Sequence, residues 1–238
     1  AYYGESDPNG TVVATSLNAS SVVGSLHVES LSTTYLDSNA PNISGVQLNA
    51  FIHNVTIQGG SGYDFWTQNA LNYFGSNATL ALGEDTWNFS AGANGIPSGN
   101  STMAAHSPNG SLSGGIYVGA GPYLPAPTPF TLTLYLNSTR TASGDQELWY
   151  NYSLAAAGEP YRTGNYDWIV FNSTNAAHPV TVPVAPFYAS GTGYNPSGLP
   201  YDFEMDFGIA PYNGATIDTF SGNVSAGLAY CPVATTPC

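Results

Sequence analysis

Tyr201-Asp202-Phe203-Glu204-Met205-Asp206-Phe207 alternates apolar and acidic residues without a break. Successive side chains of a strand point to opposite faces, so one face collects the aromatic and methionine side chains and the other collects three carboxyls. The same two-residue period runs through Val46-Gln47-Leu48-Asn49-Ala50-Phe51-Ile52 and Phe130-Thr131-Leu132-Thr133-Leu134-Tyr135-Leu136. A helical period is nearly absent, and short β-branched and aromatic runs are punctuated by Gly, Pro, Asn and Ser. Strands are expected near 11–17, 21–36, 45–57, 63–73, 79–90, 114–119, 129–137, 146–154, 166–172, 179–188, 201–208 and 214–230. About a dozen strands suit an all-β, antiparallel β-sandwich or jelly-roll-like fold. The 238 residues read as one β domain, 1–238, with a possible subdivision at the proline-rich stretch 121–129 and a cysteine-flanked tail at 231–238. No internal repeat is present.

Charge narrows the setting. The chain has no lysine, only Arg140 and Arg162, and a net charge of −13 with just 7% charged residues. Nucleic-acid binding needs a basic stripe, which is missing. Acid unfolds proteins mainly by protonating carboxylates that are paired in the native state. A chain almost without cations has few such pairs to lose, so an acidic environment is expected. Solubility then needs another source. Sequons stand at Asn9, Asn18, Asn42, Asn54, Asn77, Asn88, Asn100, Asn109, Asn137, Asn151, Asn172 and Asn223. Chance would give only about four in so Ser/Thr-rich a chain. N-linked glycans and an extracellular location, secreted or on the cell surface, are the expectation. The two cysteines, Cys231 and Cys238, either close a short loop or bridge two chains. No apolar run is long enough to span a membrane. A chain numbered from Ala1 without a signal peptide reads as a mature form.

The chemistry available is that of carboxyls and amides. There is no Asp-Thr/Ser-Gly, Gly-x-Ser-x-Gly, His-Glu-x-x-His or phosphate-binding glycine loop. His27, His53, His106 and His178 lack ligand spacing, and calcium on Asp202, Glu204 and Asp206 would be weakened by acid. No cofactor or metal is expected. Two carboxyls held close divide into a base and an acid, because the second ionises reluctantly beside the first. Strand neighbours two apart are nearly 7 Å apart at the backbone, so the partner of Glu204 is expected from another strand. Two stretches offer one. In Tyr63–Asn69 alternation sets Asp64, Trp66 and Gln68 on one face; in Gly83–Ser90, Glu84 and Asp85 face opposite ways. The tryptophans Trp66 and Trp87 read first as core anchors and second as walls for a substrate.

Taken in order, Val46-Gln47-Leu48-Asn49, Trp66-Thr67-Gln68-Asn69, Trp87-Asn88-Phe89, Tyr166-Asp167, and Tyr201-Asp202-Phe203-Glu204 with a following Asn213-Gly214 resemble the thermopsin family of secreted archaeal acid proteases. The resemblance runs from about Thr11 to Tyr230. It implies an extracellular endopeptidase that acts on polypeptides in acid without a metal. Glu204 and Asp202 are the acids that best match the family pattern, with Gln68, Glu84 or Asp85 to complete the pair. Gln68 with Glu204 also resembles the glutamine–glutamate device of the β-sandwich glutamic peptidases. The alternative is a structural surface glycoprotein, a filament or lattice subunit that self-assembles by strand exchange through its early strands, Thr11–Leu17 and Ser21–Leu36.

Overall fold

A computed structural model describes residues 4–6, 9–10, 12–14, 16–35, 43–57, 60–90, 103–105, 110–113, 116–173, 179–191, 193–194, 198, 200–209 and 217–232. Every element in them is a strand, and the chain is all-β as expected. In chain order these are β1 (Gly4–Ser6), β2 (Val12–Ala14), β3 (Ser16–Ala19), β4 (Ser21–Tyr35), β5 (Ile43–Ile57), β6 (Gly60–Phe74), β7 (Thr79–Asn88), β8 (Met103–Ala105), β9 (Ser111–Ser113), β10 (Ile116–Pro125), β11 (Phe130–Arg140), β12 (Gln146–Ala156), β13 (Arg162–Phe171), β14 (Val180–Thr181), β15 (Phe187–Ser190), β16 (Phe203–Ile209) and β17 (Ile217–Cys231). A nine-stranded sheet runs β3-β15-β5-β6-β7-β10-β9, with β14 and β16 also on β5. A six-stranded sheet runs β17-β4-β11-β12-β13-β8, and β1 pairs only with β2. All pairings are antiparallel.

The core lies between the two large sheets and follows from the alternation. Leu48, Ala50 and Ile52 of β5, Phe65 and Leu71 of β6, and Leu80 and Leu82 of β7 face Leu132, Leu134 and Leu136 of β11 and Leu148, Leu154, Ile169 and Phe171 of β12 and β13. Phe65 meets Phe171 edge-on, with ring centroids 5.3 Å apart. Phe203, the apolar neighbour of Glu204, is buried on the same inner side. The outer edge of β5 is shared by β16, β15 and β14 in turn, because the Pro- and Gly-containing segment after β13 cannot hold one long strand.

Several expectations need correction. The stretch 121–129 does not interrupt a strand at its start: β10 continues to Pro125 against β7 through an irregularity between Ala120 and Tyr123, and β11 then begins in the opposite sheet. Strands β1, β8 and β9 were not expected. The strand at 21–36 has no free edge, since β4 lies between β17 and β11.

Polar groups also bridge the sheets. Thr67 of β6, Thr86 of β7 and Tyr150 of β12 are fully buried, and their hydroxyls form a closed ring with contacts of 2.8, 2.8 and 2.6 Å. Asn69 donates to the backbone carbonyls of Tyr135 and Asn151 in the six-stranded sheet at 2.9 and 3.0 Å. A buried hydroxyl stripped of partners costs more than the bond itself contributes. Tyr150→Phe leaves the two threonines bonded to each other and should lower stability by about 1–2 kcal/mol in denaturant unfolding. An unchanged midpoint would show that the ring does not hold the sheets together.

Candidate active site

Glu204 and Asp206 of β16, with Asp202 immediately before the strand, lie on the outer face of the nine-stranded sheet, opposite to Phe203 and Met205. Cross-strand register sets Glu204 beside Asn49 of β5, Asn49 beside Gln68 of β6, and Gln68 beside Asp85 of β7. A single polar row thus crosses four strands. Its amides form a chain: Gln68 Nε2 donates to Gln47 Oε1 at 2.9 Å and to Asn49 Oδ1 at 2.7 Å. Asn49 Nδ2 in turn donates to Asp206 Oδ2 at 2.7 Å and to Glu204 Oε2 at 3.4 Å. With both amide hydrogens and the carbonyl of Asn49 engaged, its orientation is fixed, and so are the carboxyls it holds.

The carboxyl partners of Glu204 come from its own stretch of chain, Asp206 within β16 and Asp202 just before it, which corrects the expectation from backbone spacing. Asp202 and Asp206 each share a hydrogen bond with the Glu204 carboxyl. Glutamate is one methylene longer than aspartate, and that reach lets it lean along the strand to either neighbour. From the adjacent strand comes an amide, Asn49, rather than an acid. Gln68 stands one strand further away and acts on Glu204 through Asn49. Asp85 closes the far end of the row. Glu84 faces the interior instead, where it meets Asp167 of β13.

Burial sets the protonation of the cluster. Asp202 is only 8% exposed, and burial, followed by the charge of Glu204 and the hydrogen bond to it, raises its pKa to about 7. Asp206 is raised by burial and by Glu204, while the bond from Asn49 acts in the opposite direction. Burial lifts Asp85 to about 6. In acid, then, carboxylic acids and amides stand side by side here, with hydrogen-bond donors aimed at Glu204.

An aromatic comb adjoins the row. Phe51, Trp66, Trp87 and Phe89 lie on the outer face; Trp66, Trp87 and Phe89 stand with centroids 5.2–5.8 Å apart and planes 15–27° from parallel. Both tryptophans are half-buried on this face, so the core-anchor reading of them is overturned. Phe51 packs against Trp66 and Tyr201. Beyond it, buried Asp64 accepts from His53 Nδ1 at 2.6 Å and from the Tyr201 hydroxyl, which steadies the residue preceding Asp202.

Asn49, Asp167 and His53 are not site candidates from sequence, and Asp64 enters there only as a residue on the Gln68 face. Asn49 and Asp167 lie in the family-like motifs, and alternation places Asn49 on the Gln47 face; only the register reveals what each meets. Among the sequon residues, Asn9, Asn18, Asn54, Asn77 and Asn223 are exposed, and Asn137, Asn151 and Asn172 are half-buried. Asn88 is 0% exposed, with Oδ1 bonded to the Ser90 backbone, so the folded sandwich has no room for a glycan there. Cys231 is disulfide-bonded. Asn42, Asn100, Asn109, His106, His178, Asn213, Gly214 and Cys238 lie outside the described residues.

Fold and site together define a β-sandwich protein with a carboxyl–carboxamide centre suited to moving protons. The chain belongs to the thermopsin family: the family model described as Thermopsin matches residues 1–236. That family is one of acid proteases, and its substrates are polypeptides. A comparison with curated proteins gave no match.

The raised acids fix how stability depends on pH. Asp202 and Asp85 have ordinary values of 3.8 and native values of about 7 and about 6. Between those limits the native state keeps protons that the unfolded chain has released, so stability is full below the ordinary value and falls as pH rises. Thermal melting should therefore occur at a higher temperature near pH ~3.5 than near pH ~7.5. A Tm that rises over this interval would contradict the assignment.

Proposed function

We propose that the protein is an acid endopeptidase, secreted and N-glycosylated, in which the β16 cluster activates water. The carrying observation is half-buried Glu204 set between two carboxyls of raised pKa and oriented by the Asn49–Gln68 amide chain on the outer sheet face. Glu204 takes a proton from water as the oxygen attacks the scissile carbonyl. Protonated Asp202 donates to the carbonyl oxygen, giving a tetrahedral diol. Return of the proton from Glu204 to the amide nitrogen, while one diol hydroxyl gives its proton back to Asp202, breaks the C–N bond and releases the amine and the carboxylic acid with both acids restored. Asp206 shares the proton inventory of Glu204, and Asn49 and Gln68 keep the geometry. Asp85, at the far end of the row, adds a second protonatable group, and the edges of the aromatic comb flank the bound chain.

Cleavage of denatured globin between about pH 2 and 7 is the direct test. Glu204→Gln should lose about 100-fold or more of kcat, the usual weight of a positioned acid–base group, with its melting temperature in acid little changed. Retained cleavage in this variant would remove Glu204 from the mechanism.

A second reading, an assembling surface glycoprotein, draws on one observation. Strand β17 ends the six-stranded sheet with 15 residues, and residues 221–223 and 225–229 are exposed, which leaves a long edge open to strand addition. Ordered polymers in negative stain at acid pH, with no cleavage of globin, would favour this reading; a monodisperse monomer would remove it.

A further inference from the structure

The interior holds a second carboxyl pair that the proposed chemistry does not use. Glu84 and Asp167 are 1% and 0% exposed and come from opposite sheets, on β7 and β13. They meet over Gly119 of β10, the cross-strand neighbour of Glu84. A Cβ at that position would overlap both Glu84 Oε1 and Asp167 Oδ2, so glycine makes the room in which the two carboxyls touch. Asp167 is served by two donors: the Tyr117 hydroxyl reaches Oδ2 at 2.6 Å, and the Trp168 backbone N–H reaches Oδ1 at 2.7 Å. Among the described residues, neither oxygen of Glu84 receives any N–H or hydroxyl donor. The Asp167 carboxyl adjoins it, and two carboxyls bond only through a proton.

This asymmetry assigns the roles without ambiguity. An ionised Glu84 would be a buried charge with no donor and no counterion, which is strongly unfavourable. A protonated Glu84 donates to Asp167 and closes the pair. The titratable groups around it are Asp85 on its own strand, Asp167 and Tyr166 on β13, Tyr117 on β10 and Tyr150 on β12; none is a cation. Elsewhere, Arg140 bonds the Val182 carbonyl, Arg162 pairs with Glu159, His27 with Glu29 and His53 with Asp64. We propose that Glu84 and Asp167 form an acid-set lock between the sheets, which clamps β7 and β10 to β13 while the pair shares a proton and loosens them when the proton is lost. Burial, the hydrogen bond to Asp167 and the charges of Asp167 and Asp85 raise the pKa of Glu84 to about 10, in keeping with a proton retained far above the ordinary carboxyl range. The lock therefore stabilises the closed sandwich most in acid, and its contribution falls steadily as pH rises above the ordinary carboxyl range, independently of what the outer face catalyses.

The test is a pair of melting curves. Glu84→Gln keeps a donor towards Asp167 but cannot ionise. Between about pH 4.5 and 7.5 the wild-type Tm should fall by roughly 2–4 °C per pH unit more than that of the variant, while the two agree within a few degrees near pH ~3.5. Parallel curves would overturn the lock. Should the variant fold poorly, carboxyl-13C-glutamate labelling of the wild type decides the matter. The chain has six glutamates, and one, assigned by its proximity to Tyr117, should keep the protonated chemical shift at neutral pH. All six titrating in the ordinary carboxylate range would refute the proposal.

Discussion

A carboxyl group buried without a cation can be kept only as an acid, or as an anion fully supplied with donors. That constraint governs this sandwich, because the chain has two arginines and no lysine with which to neutralise anything. Among the described residues the ion pairs number three, two of them involving histidine. The interior is instead joined by neutral devices: the Thr67–Thr86–Tyr150 hydroxyl ring, the Asn69 carboxamide across the sheets, and a carboxyl pair that needs a proton to exist. In neutral water such an interior would be a liability. In acid the solvent supplies the protons, and the same groups become ordinary hydrogen-bond donors.

Strand β7 shows how one strand serves both sides of the sheet. Glu84 points inward to Asp167 and Asp85 points outward to Gln68, one residue apart. The inner carboxyl ties the layers; the outer one ends the row that leads through Gln68 and Asn49 to Glu204. Because both faces rely on raised carboxyl pKa values, integrity and proton chemistry share the same pH range. A fold assembled in this way does not need separate adaptations for stability and for catalysis in acid.

Alternation in the sequence was sufficient for the all-β class and for most of the long strands, since a two-residue period with Gly and Pro breaks has few other solutions. It also placed Asp202, Glu204 and Asp206 together, and Asp64, Trp66 and Gln68 together. Register was not legible, because each strand could slide by two residues without changing its face. Asn49 as the neighbour of Glu204, and Asp167 as the neighbour of Glu84, both depend on register or on sheet-to-sheet packing. The backbone distance that seemed to exclude Asp202 and Asp206 as partners of Glu204 took no account of the longer side chain. Aromatic residues mostly anchor cores, which is why that reading of Trp66 and Trp87 comes first from sequence; here the two rings are half-buried on the second face of β6 and β7. Asn88 shows the limit of a motif: the sequon is present, yet alternation turns its side chain inward.

The central claim, that the native protein is held together by protonated carboxyls, is tested most directly by counting protons. Potentiometric titration of the native and denaturant-unfolded chain should show the native state binding at least one more proton than the unfolded state throughout about pH 5–7. Proton release on unfolding in that range is the expected result. Proton uptake on unfolding would mean that the native carboxyls are stabilised as anions, and the account would be wrong.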